Sequence, residues 1–354
     1  MAVRVGLVGL GMMGTVHFQA YGEMEGAEVV ALCDIDPKRL EKDWSGTLGN
    51  LADGQAGGAG FAAATKCEDF RHLLSDPGID MVDFCVPTHL HAAMAIEALQ
   101  AGKHVFCEKP MALTSGDALR MAQAAEENGK SLMIGHVLRF WPEYLLIKEM
   151  IDTGRFGRLR SARFWRSGGV PGWGGKSWFT DAALSGGAAL DLHIHDTDTV
   201  HWLFGLPEKV TSCGSVLPDG GVDYLWTRFH YDGEAAIVSD GGWVAGKYPF
   251  TMGATLIFEK AAADYHSGRS PTLTVYPAEA EPHTPNVPRA NAYAEELKYF
   301  VKSVAAGTPP QRVTPSEAAR SVAIVEAEIR SVKTGQTVAI PAEGASSGRA
   351  AGTS

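Results

Sequence analysis

The chain has 354 residues, of which 45% are hydrophobic and 20% are charged, a composition typical of a globular protein with about two domains. Its formal net charge is -10, and no long run of Lys and Arg is present, which excludes a basic surface for nucleic acid. No apolar run reaches the ~20 residues of a membrane helix and no signal-peptide pattern opens the chain, so we expect a cytoplasmic protein without membrane contacts.

The first third of the chain alternates short apolar runs with helical patterns, which predicts a parallel sheet with crossover helices. The predicted strands are 3–11, 28–35, 81–87, 104–110 and 131–137. Helical stretches such as 92–102 and 115–129 each end in Gly, the residue that best tolerates a left-handed helix terminus. We predict a doubly wound domain over 1–137, with the Gly- and Ala-rich segment 44–65 as an irregular or mobile insertion.

After residue 137 the pattern changes to period-two alternation, which predicts a mostly antiparallel sheet in an α+β domain over 138–315. The alternating runs are 159–167, 209–216, 224–231, 235–244 and 254–259. A helix is predicted over 316–335, capped by Ser316 and closed by Gly335, with a short strand after it. We expect 316–342 to pack back on the core and the tail 343–354 to be disordered.

The cysteines are scattered along the chain and odd in number. They are Cys33, Cys67, Cys85, Cys107 and Cys213, and the first, third and fourth end apolar strand-like runs. This distribution favours reduced thiols in the core over a redox or metal-binding role.

A glycine motif of the G-x-G-x-x-G type follows the first predicted strand directly. Gly9 permits a tight turn, Gly11 lets the backbone approach a pyrophosphate, and Gly14 lets the following helix pack on the sheet. Met12 and Met13 would offer backbone N–H groups to phosphate at the helix start. Glycines that serve packing alone are the alternative.

The second predicted strand ends in Asp34, 20 residues beyond Gly14. A carboxylate there can accept hydrogen bonds from both ribose hydroxyls of an adenosine and would repel the 2′-phosphate of NADP. We therefore favour NAD as the cofactor. Lys38 and Arg39 follow closely enough to leave NADP open, and Arg39 is a candidate cofactor contact.

The segment 191–201, "DLHIHDTDTVH", concentrates three Asp and three His. Asp191 and His195 are four residues apart and would share one face of a helix. His193 and His195 are two apart and would point away from each other, so proton transfer is favoured over a metal site. An imidazole with an unperturbed pKa of about 6.5 suits proton transfer near neutral pH.

Three motifs together resemble the glucose–fructose oxidoreductase / inositol dehydrogenase / MocA family of NAD(P)-dependent sugar and cyclitol oxidoreductases. They are "GLVGLGMMGTVHFQAY", "VPTHLHAAMAIEALQAGKHVFCEKPMA" and "SGGAALDLHIHDTDTVHWLFG", and the terminal "TPSEAARSVAIVEA" extends the match over nearly the whole chain. The resemblance implies an α/β protein: an N-terminal Rossmann domain with a doubly wound parallel sheet, and a C-terminal domain built on a large open, mostly antiparallel sheet. It also implies a homo-oligomer, expected here as a homodimer or homotetramer.

The resemblance assigns catalytic roles to Lys109, Asp191 and His195. Lys109, in the family's "EKP" motif with Glu108, would stabilise the reacting oxygen, and the bond before Pro110 is often cis in the family. His195 would be the general base, and Asp191 would orient the substrate or the proton relay. A surface role for Lys109 is the alternative.

Other contacts are expected from position in the family pattern. Pro87, Thr88, His91 and Glu108 are candidate cofactor contacts. Candidate substrate contacts are Arg139, close to the predicted domain boundary, Trp173 and Trp178, in the Gly-rich and aromatic stretch 168–179, and His193, each with a packed structural role as the alternative.

The expected function is NAD-dependent hydride transfer from a secondary alcohol of a sugar, sugar derivative or inositol, without a metal. Two alternatives use the same motifs or fold: a glycosidase that oxidises and re-reduces its substrate with bound NAD, and a binding or regulatory protein without turnover. The residues do not identify which sugar or cyclitol is the substrate.

Overall fold

The computed structural model describes residues 2–41, 59–170 and 178–341. Its N-terminal part is built on six strands, which are β1 (Val3–Val8), β2 (Ala27–Cys33), β3 (Thr65–Cys67), β4 (Met81–Phe84), β5 (His104–Cys107) and β6 (Leu132–Ile134). Their order in the sheet is β3-β2-β1-β4-β5-β6, and every neighbouring pair is parallel. The predicted doubly wound sheet is confirmed, and the strand order reverses between β1 and β4.

Helices connect these strands because parallel neighbours need crossover connections. They are α1 (Met12–Gly22), α2 (Pro37–Leu40), α3 (Ala59–Ala63), α4 (Arg71–Ser75), α5 (Thr88–Gln100) and α6 (Ser115–Glu127). Helix α3 lies in the predicted insertion 44–65, of which 44–58 is outside the described residues. In such sheets ligands bind at the carboxyl ends of the strands, where the order reverses.

The second sheet has eight strands. They are β7 (Leu159–Gly169), β8 (Lys209–Val216), β9 (Val222–His230), β10 (Ala236–Val244), β11 (Thr251–Phe258), β12 (Ala261–His266), β13 (Leu273–Pro277) and β14 (Val338–Ala339). Their order is β13-β12-β11-β7-β10-β9-β8-β14. The pair β7 and β10 is parallel and the other pairs are antiparallel, so the prediction of a mostly antiparallel sheet is confirmed.

The remaining helices cover one face of this sheet and join the two parts of the molecule. They are α7 (Pro142–Thr153), α8 (Ala182–Ser185), α9 (Gly187–Asp191), α10 (Ile194–Phe204), α11 (Ala292–Ala306) and α12 (Pro315–Thr334), with short 3-10 helices at Val137–Phe140 and Trp178–Thr180. Helix α12 packs on both β8 and α6, and α11 packs on α1. One continuous core therefore runs through both sheets.

The start of α12 differs from the prediction. Thr314, and not Ser316, is the N-cap: its hydroxyl accepts the N–H of Glu317, and the Glu317 carboxylate accepts the N–H of Thr314. Pro315 occupies the first helical position, where a missing N–H costs nothing, so the helix begins ahead of Ser316. The end at Gly335, in the left-handed conformation, is as predicted.

None of the helices in the described ranges combines the length and apolarity that a bilayer-spanning segment needs.

Candidate active site

A cavity of about 1570 Å³ opens at the carboxyl ends of the parallel strands. The glycine loop and the residues after β2, β4 and β5 form one wall, and α10 with strands of the second sheet forms the other. A site for one small molecule usually measures about 300–1,000 Å³. The cavity is thus large enough for a dinucleotide and a second ligand side by side.

The glycine loop contains two positions at which no side chain fits. Gly9 has a φ of 89°, in the left-handed region, and a Cβ atom there would strike the backbone of Cys85. A Cβ atom at Gly14 would overlap the carbonyl oxygen of Gly9, so Gly14 packs the helix and does not line the cavity. Gly11, Met12 and Met13 do line it, at the helix start whose N–H groups bind anions.

Asp34 lines the same cavity and is 6% exposed. Its carboxylate accepts the N–H of Leu10 at 2.7 Å and the N–H of Asp36 at 2.9 Å, which fixes its orientation. The Arg39 guanidinium is 3.4 Å from the same carboxylate and also lines the cavity. A hydrogen-bond acceptor and a cation therefore lie side by side in this part of the cavity wall.

Lys109 follows β5 and reaches across the cavity to the second domain. The Lys109–Pro110 bond is cis, as expected. The Lys109 ammonium donates to the main-chain oxygen of Asp191 at 2.6 Å and to its carboxylate at 3.3 Å. The lysine, in the expected crevice, is therefore aimed at the segment that carries Asp191 and His195.

His195 lines the cavity from the first turn of α10. Within the described part of the chain its buried Nδ1 has no hydrogen-bond partner. Burial lowers the pKa of His195 well below its usual value, and the charges of Lys109 and Arg166 lower it further. The imidazole is therefore neutral at neutral pH and able to accept a proton.

Asp191 and His195 do not lie on one continuous helix. Helix α9 ends at Asp191, and α10 begins at Ile194 after a turn. The expected shared face of a single helix is therefore wrong. Both side chains nevertheless line the cavity, because the turn presents the end of one helix and the start of the next to the same space.

Glu108 lines the cavity and belongs to a buried ionic cluster that the sequence did not reveal. Its carboxylate accepts the N–H of Lys109 at 3.1 Å, and its other oxygen lies 3.1 Å from Nε2 of His17. The second ring nitrogen of His17 is 2.9 Å from Asp83. Burial alone would lower the pKa of His17, but Cys85 and Asp83 raise it well above its usual value. A cationic His17 thus holds Glu108 in place.

The loop after β4 contributes Pro87 and Thr88 to the cavity wall. His91 lies behind that wall and does not line the cavity. One of its ring nitrogens is 2.8 Å from the carbonyl oxygen of Val86 and the other is 2.8 Å from that of Pro110. The structure therefore gives His91 contacts with the two loops that border the cavity, where a cofactor contact was expected.

Arg139 and His193, expected as substrate contacts, lie outside the cavity. Arg139 is fully buried and forms two hydrogen bonds with Asp198, at 2.9 and 2.8 Å. His193 is also fully buried, with Nε2 3.1 Å from Ser239 and 3.3 Å from Glu328. His193 and His195 therefore face different surroundings, which agrees with the argument against a metal site shared by the two.

The second domain supplies a wall of aromatic and apolar side chains. Trp178, an expected substrate contact, lines the cavity, whereas Trp173 lies outside the described residues. The sequence analysis did not single out several lining residues, which are Arg166, Trp243, Phe250, Met252 and Tyr293.

The inward position of one of these residues, Arg166, is indicated by the alternation of its strand. Arg166 is two and four positions from the buried Phe164 and Ala162 on an alternating strand, which places it on the inward face. Its Nε donates to Asp196 at 3.0 Å. Phe250 lies in the connection between β10 and β11, whose position is set by tertiary packing, and no local pattern places it.

Comparison with known proteins matches this chain to two models of one protein family. Residues 3–136 match the model described as "Oxidoreductase family, NAD-binding Rossmann fold", and residues 144–263 match the "GFO/IDH/MocA C-terminal domain". The chain is 30% identical over 352 residues to inositol 2-dehydrogenase 2 of Saccharopolyspora erythraea, covering 96% of each protein. It is 27% identical over 320 residues to myo-inositol 2-dehydrogenase of Thermotoga maritima, covering 87% of this chain and 90% of the relative.

Among solved structures, levoglucosan dehydrogenase in complex with NADH and levoglucosan superposes with a TM-score of 0.82. The sequence identity is 22%, and the superposition covers 97% of this chain and 100% of that one. This likeness establishes the fold.

Proposed function

Because the chain belongs to the GFO/IDH/MocA family of oxidoreductases, we propose that it is an NAD-dependent dehydrogenase acting on a secondary alcohol of a sugar, sugar derivative or inositol. The observation that carries the proposal is the convergence of Lys109, Asp191 and His195 on one cavity that also reaches the glycine loop. A hydroxyl held by these three side chains would lie beside the dinucleotide end of the same space.

His195 is the general base that takes the hydroxyl proton, and it returns a proton in the reverse direction. Its neutral, buried imidazole supports this role. Lys109 donates a hydrogen bond to the reacting oxygen and offsets negative charge as the proton leaves. Asp191 holds the lysine through the two contacts described above and orients the substrate.

The residues around the glycine loop fit a dinucleotide. Gly9 and Gly14 have no room for side chains, and Gly11 opens on the cavity beside the start of α1. Bound there, the nicotinamide would accept the hydride that leaves the carbon being oxidised. Pro87, Thr88 and Glu108 border its expected position.

NAD is the preferred cofactor rather than NADP. The support is the Asp34 carboxylate, which its two N–H donors hold at the cavity edge. It accepts hydrogen bonds from ribose hydroxyls and repels a 2′-phosphate. Arg39 lies beside it and partly offsets this repulsion. The preference is therefore a higher activity with NAD than with NADP, and not a complete exclusion of NADP.

The substrate is a sugar or polyol. The relatives are named inositol dehydrogenases, and the superposed enzyme is named for levoglucosan. In this chain, Trp178, Trp243 and Phe250 line the same cavity as the catalytic side chains. Aromatic rings pack against the C–H surface of a sugar ring.

The chain assembles as a homodimer or homotetramer through the open face of the second sheet. The strand register places Trp226, Ile257 and Tyr276 on this face, where they are 47%, 39% and 45% exposed. Exposed large apolar side chains on the open face of a sheet, here among charged residues such as Arg163 and Asp264, are typical of an interaction surface. Light scattering on the wild type and on Trp226→Glu tests it: the variant is expected to show the smaller mass.

The decisive experiment measures NADH formation by absorbance across free sugars, inositols, sugar acids and aryl glycosides, with aglycone release followed in parallel. We expect NADH to accumulate with at least one polyol or sugar, and much faster with NAD than with NADP. Aglycone release without accumulated NADH would instead identify an NAD-cycling glycosidase. Asp34→Ser is expected to lower the ratio of the rate with NAD to the rate with NADP. An unchanged ratio would contradict the role of Asp34.

A further inference from the structure

Two cysteines at the adenosine end of the cavity are direct neighbours in the parallel sheet. Cys33 ends β2, Cys67 ends β3, and the strand register pairs them residue to residue. Neighbouring strands lie about 4.8 Å apart, and paired residues point to the same side of a sheet. The Cα atoms of a disulfide are usually 4.4–6.8 Å apart, so the spacing of paired residues on these strands lies within the range that a disulfide accepts.

The surroundings differ for the two thiols. Cys33 is 2% exposed and lines the cavity directly before Asp34. Cys67 is half-buried on β3, the edge strand of its sheet. Cys67 is therefore the more accessible of the two thiols to a small oxidant from solvent.

The pair is also coupled chemically. Burial raises the pKa of both thiols, most strongly that of Cys33, so both are protonated at neutral pH. A hydrogen bond from the Cys33 thiol counteracts the rise in the pKa of Cys67. Cys67 is thus the sulfur that more readily becomes a thiolate, the form that reacts with oxidants.

We propose that Cys33 and Cys67 form a reversible disulfide, a modification site that weakens dinucleotide binding when the protein is oxidised. A core position, as the sequence predicted for the cysteines, is found for the buried Cys33 and Cys107 but not for Cys213, which is exposed; the proposed redox role departs from the prediction of reduced thiols. The effect on the cofactor rests on the proposed dinucleotide site at Asp34, whereas formation of the bridge does not.

The chemistry balances with a hydroperoxide as oxidant. The Cys67 thiolate attacks hydrogen peroxide, which is reduced with release of hydroxide, and Cys67 becomes a sulfenic acid. The Cys33 sulfur then attacks the Cys67 sulfur, the S–O bond breaks, and water leaves. Two thiols lose two hydrogens overall, and a dithiol reductant returns them.

The consequence for the cofactor follows from the position of Asp34. Its backbone N–H donates to the carbonyl oxygen of Cys67 at 3.3 Å, so β2 and β3 are joined at this residue as well. Drawing the two sulfurs to the ~2.05 Å of an S–S bond pulls the ends of the strands together. This moves the carboxylate away from the geometry that its bonds to Leu10 and Asp36 now fix.

The test treats the full chain with hydrogen peroxide, maps disulfides by peptide mass, and titrates NADH by fluorescence before and after. We expect a peptide pair joining Cys33 and Cys67, and an NADH Kd raised about tenfold, as for loss of one hydrogen bond to a charged acceptor. A dithiol reductant should restore the original Kd.

Two variants separate the possible causes. Cys213→Ser removes an exposed thiol far from the pair in sequence. In this variant the Cys33–Cys67 disulfide and the rise in the NADH Kd should both persist. Cys67→Ser should abolish both. Peroxide treatment without the bridged peptide overturns the site, and a bridge without a change in Kd overturns its effect on the cofactor. If the reduced protein binds no NADH, the proposed dinucleotide function fails, and the bridged peptide still decides the disulfide.

Discussion

His195 is the side chain on which the proposed chemistry depends most directly. His195→Ala removes the proton acceptor, and we expect kcat to fall ~10²–10⁴-fold, the usual contribution of a general base. NADH binding and the thermal midpoint should change little, because the imidazole borders a cavity. His72→Ala, at an exposed histidine of α4, is the matched control and should keep full activity. Near wild-type turnover of His195→Ala at saturating substrate would contradict the role.

The same residue sets the pH dependence. The pKa of His195 is lowered well below its usual value by burial first and then by Lys109 and Arg166. The base must be neutral to act, so log kcat/KM should stay flat as pH falls to about 6.5 and decline only below it. In Lys109→Met the lost positive charge lets the pKa of His195 rise. The residual activity of that variant should decline at a higher pH than the wild type does, and a decline at the same pH would contradict the coupling.

Single residues with a local signal were predictable, and residues defined by a distant contact were not. Lys109, Asp191 and His195 were predicted from their motifs and line the cavity. Arg139 was expected there because its position in the chain is close to the domain boundary. Its guanidinium instead donates hydrogen bonds to Asp198, a residue 59 positions away. His17 went unnoticed because a lone histidine on a helix carries no sign of its two carboxylate partners.

At the scale of elements, the capping box of α12 makes a direct prediction. Thr314→Ala removes the acceptor of the Glu317 N–H, and we expect a loss of about 1 kcal/mol in the free energy of unfolding. Ser316→Ala changes the exposed residue that the sequence suggested as the cap and should have a near-zero effect. Urea denaturation of the two variants measures the difference, and equal losses would rule out Thr314 as the cap.

The break between α9 and α10 shows where element prediction ends. No Gly or Pro lies between Asp191 and His195, so helical spacing alone predicts one continuous helix. In the structure the main-chain oxygen of Asp191, at the end of α9, accepts a hydrogen bond from the ammonium of Lys109, a residue of the other domain. The position of the break thus coincides with a contact between residues 82 positions apart, which local periodicity does not encode.

For the whole molecule, the two sheets were predictable in kind and not in order. Alternation identified the strands from β7 to β11, but β12, β13 and α11 were not recognised, and the parallel pairing of β7 with β10 could not be read. Strand alternation specifies which side chains face the core, whereas the neighbour of a strand depends on contacts across the whole chain.

Acid stability is a property of the whole molecule. Burial lowers the pKa of His91, His136, His195 and His201, in His136 to about 4. Below about pH 6.5 the unfolded chain binds protons at these sites and the folded chain does not, so stability falls as pH drops. For His136 alone the full loss is about 3 kcal/mol once the pH is below its folded pKa.

We therefore expect the thermal midpoint to drop between about pH 7 and pH 5. In His136→Phe, which has no group to protonate at this buried site, the drop should be smaller. An equal drop in variant and wild type would show that His136 does not contribute to it.

The packing of α12 across both sheets also bears on how the molecule is made. The helix supplies Glu328 to His193 and Thr197, beside the catalytic segment, and Glu326 to Ser115 of the first domain. A ribosome produces residues 191–201 more than a hundred residues before it produces these carboxylates. During translation the buried His193 therefore lacks its acidic partner, and the packing behind the segment 191–201 is completed only after α12 has been synthesised.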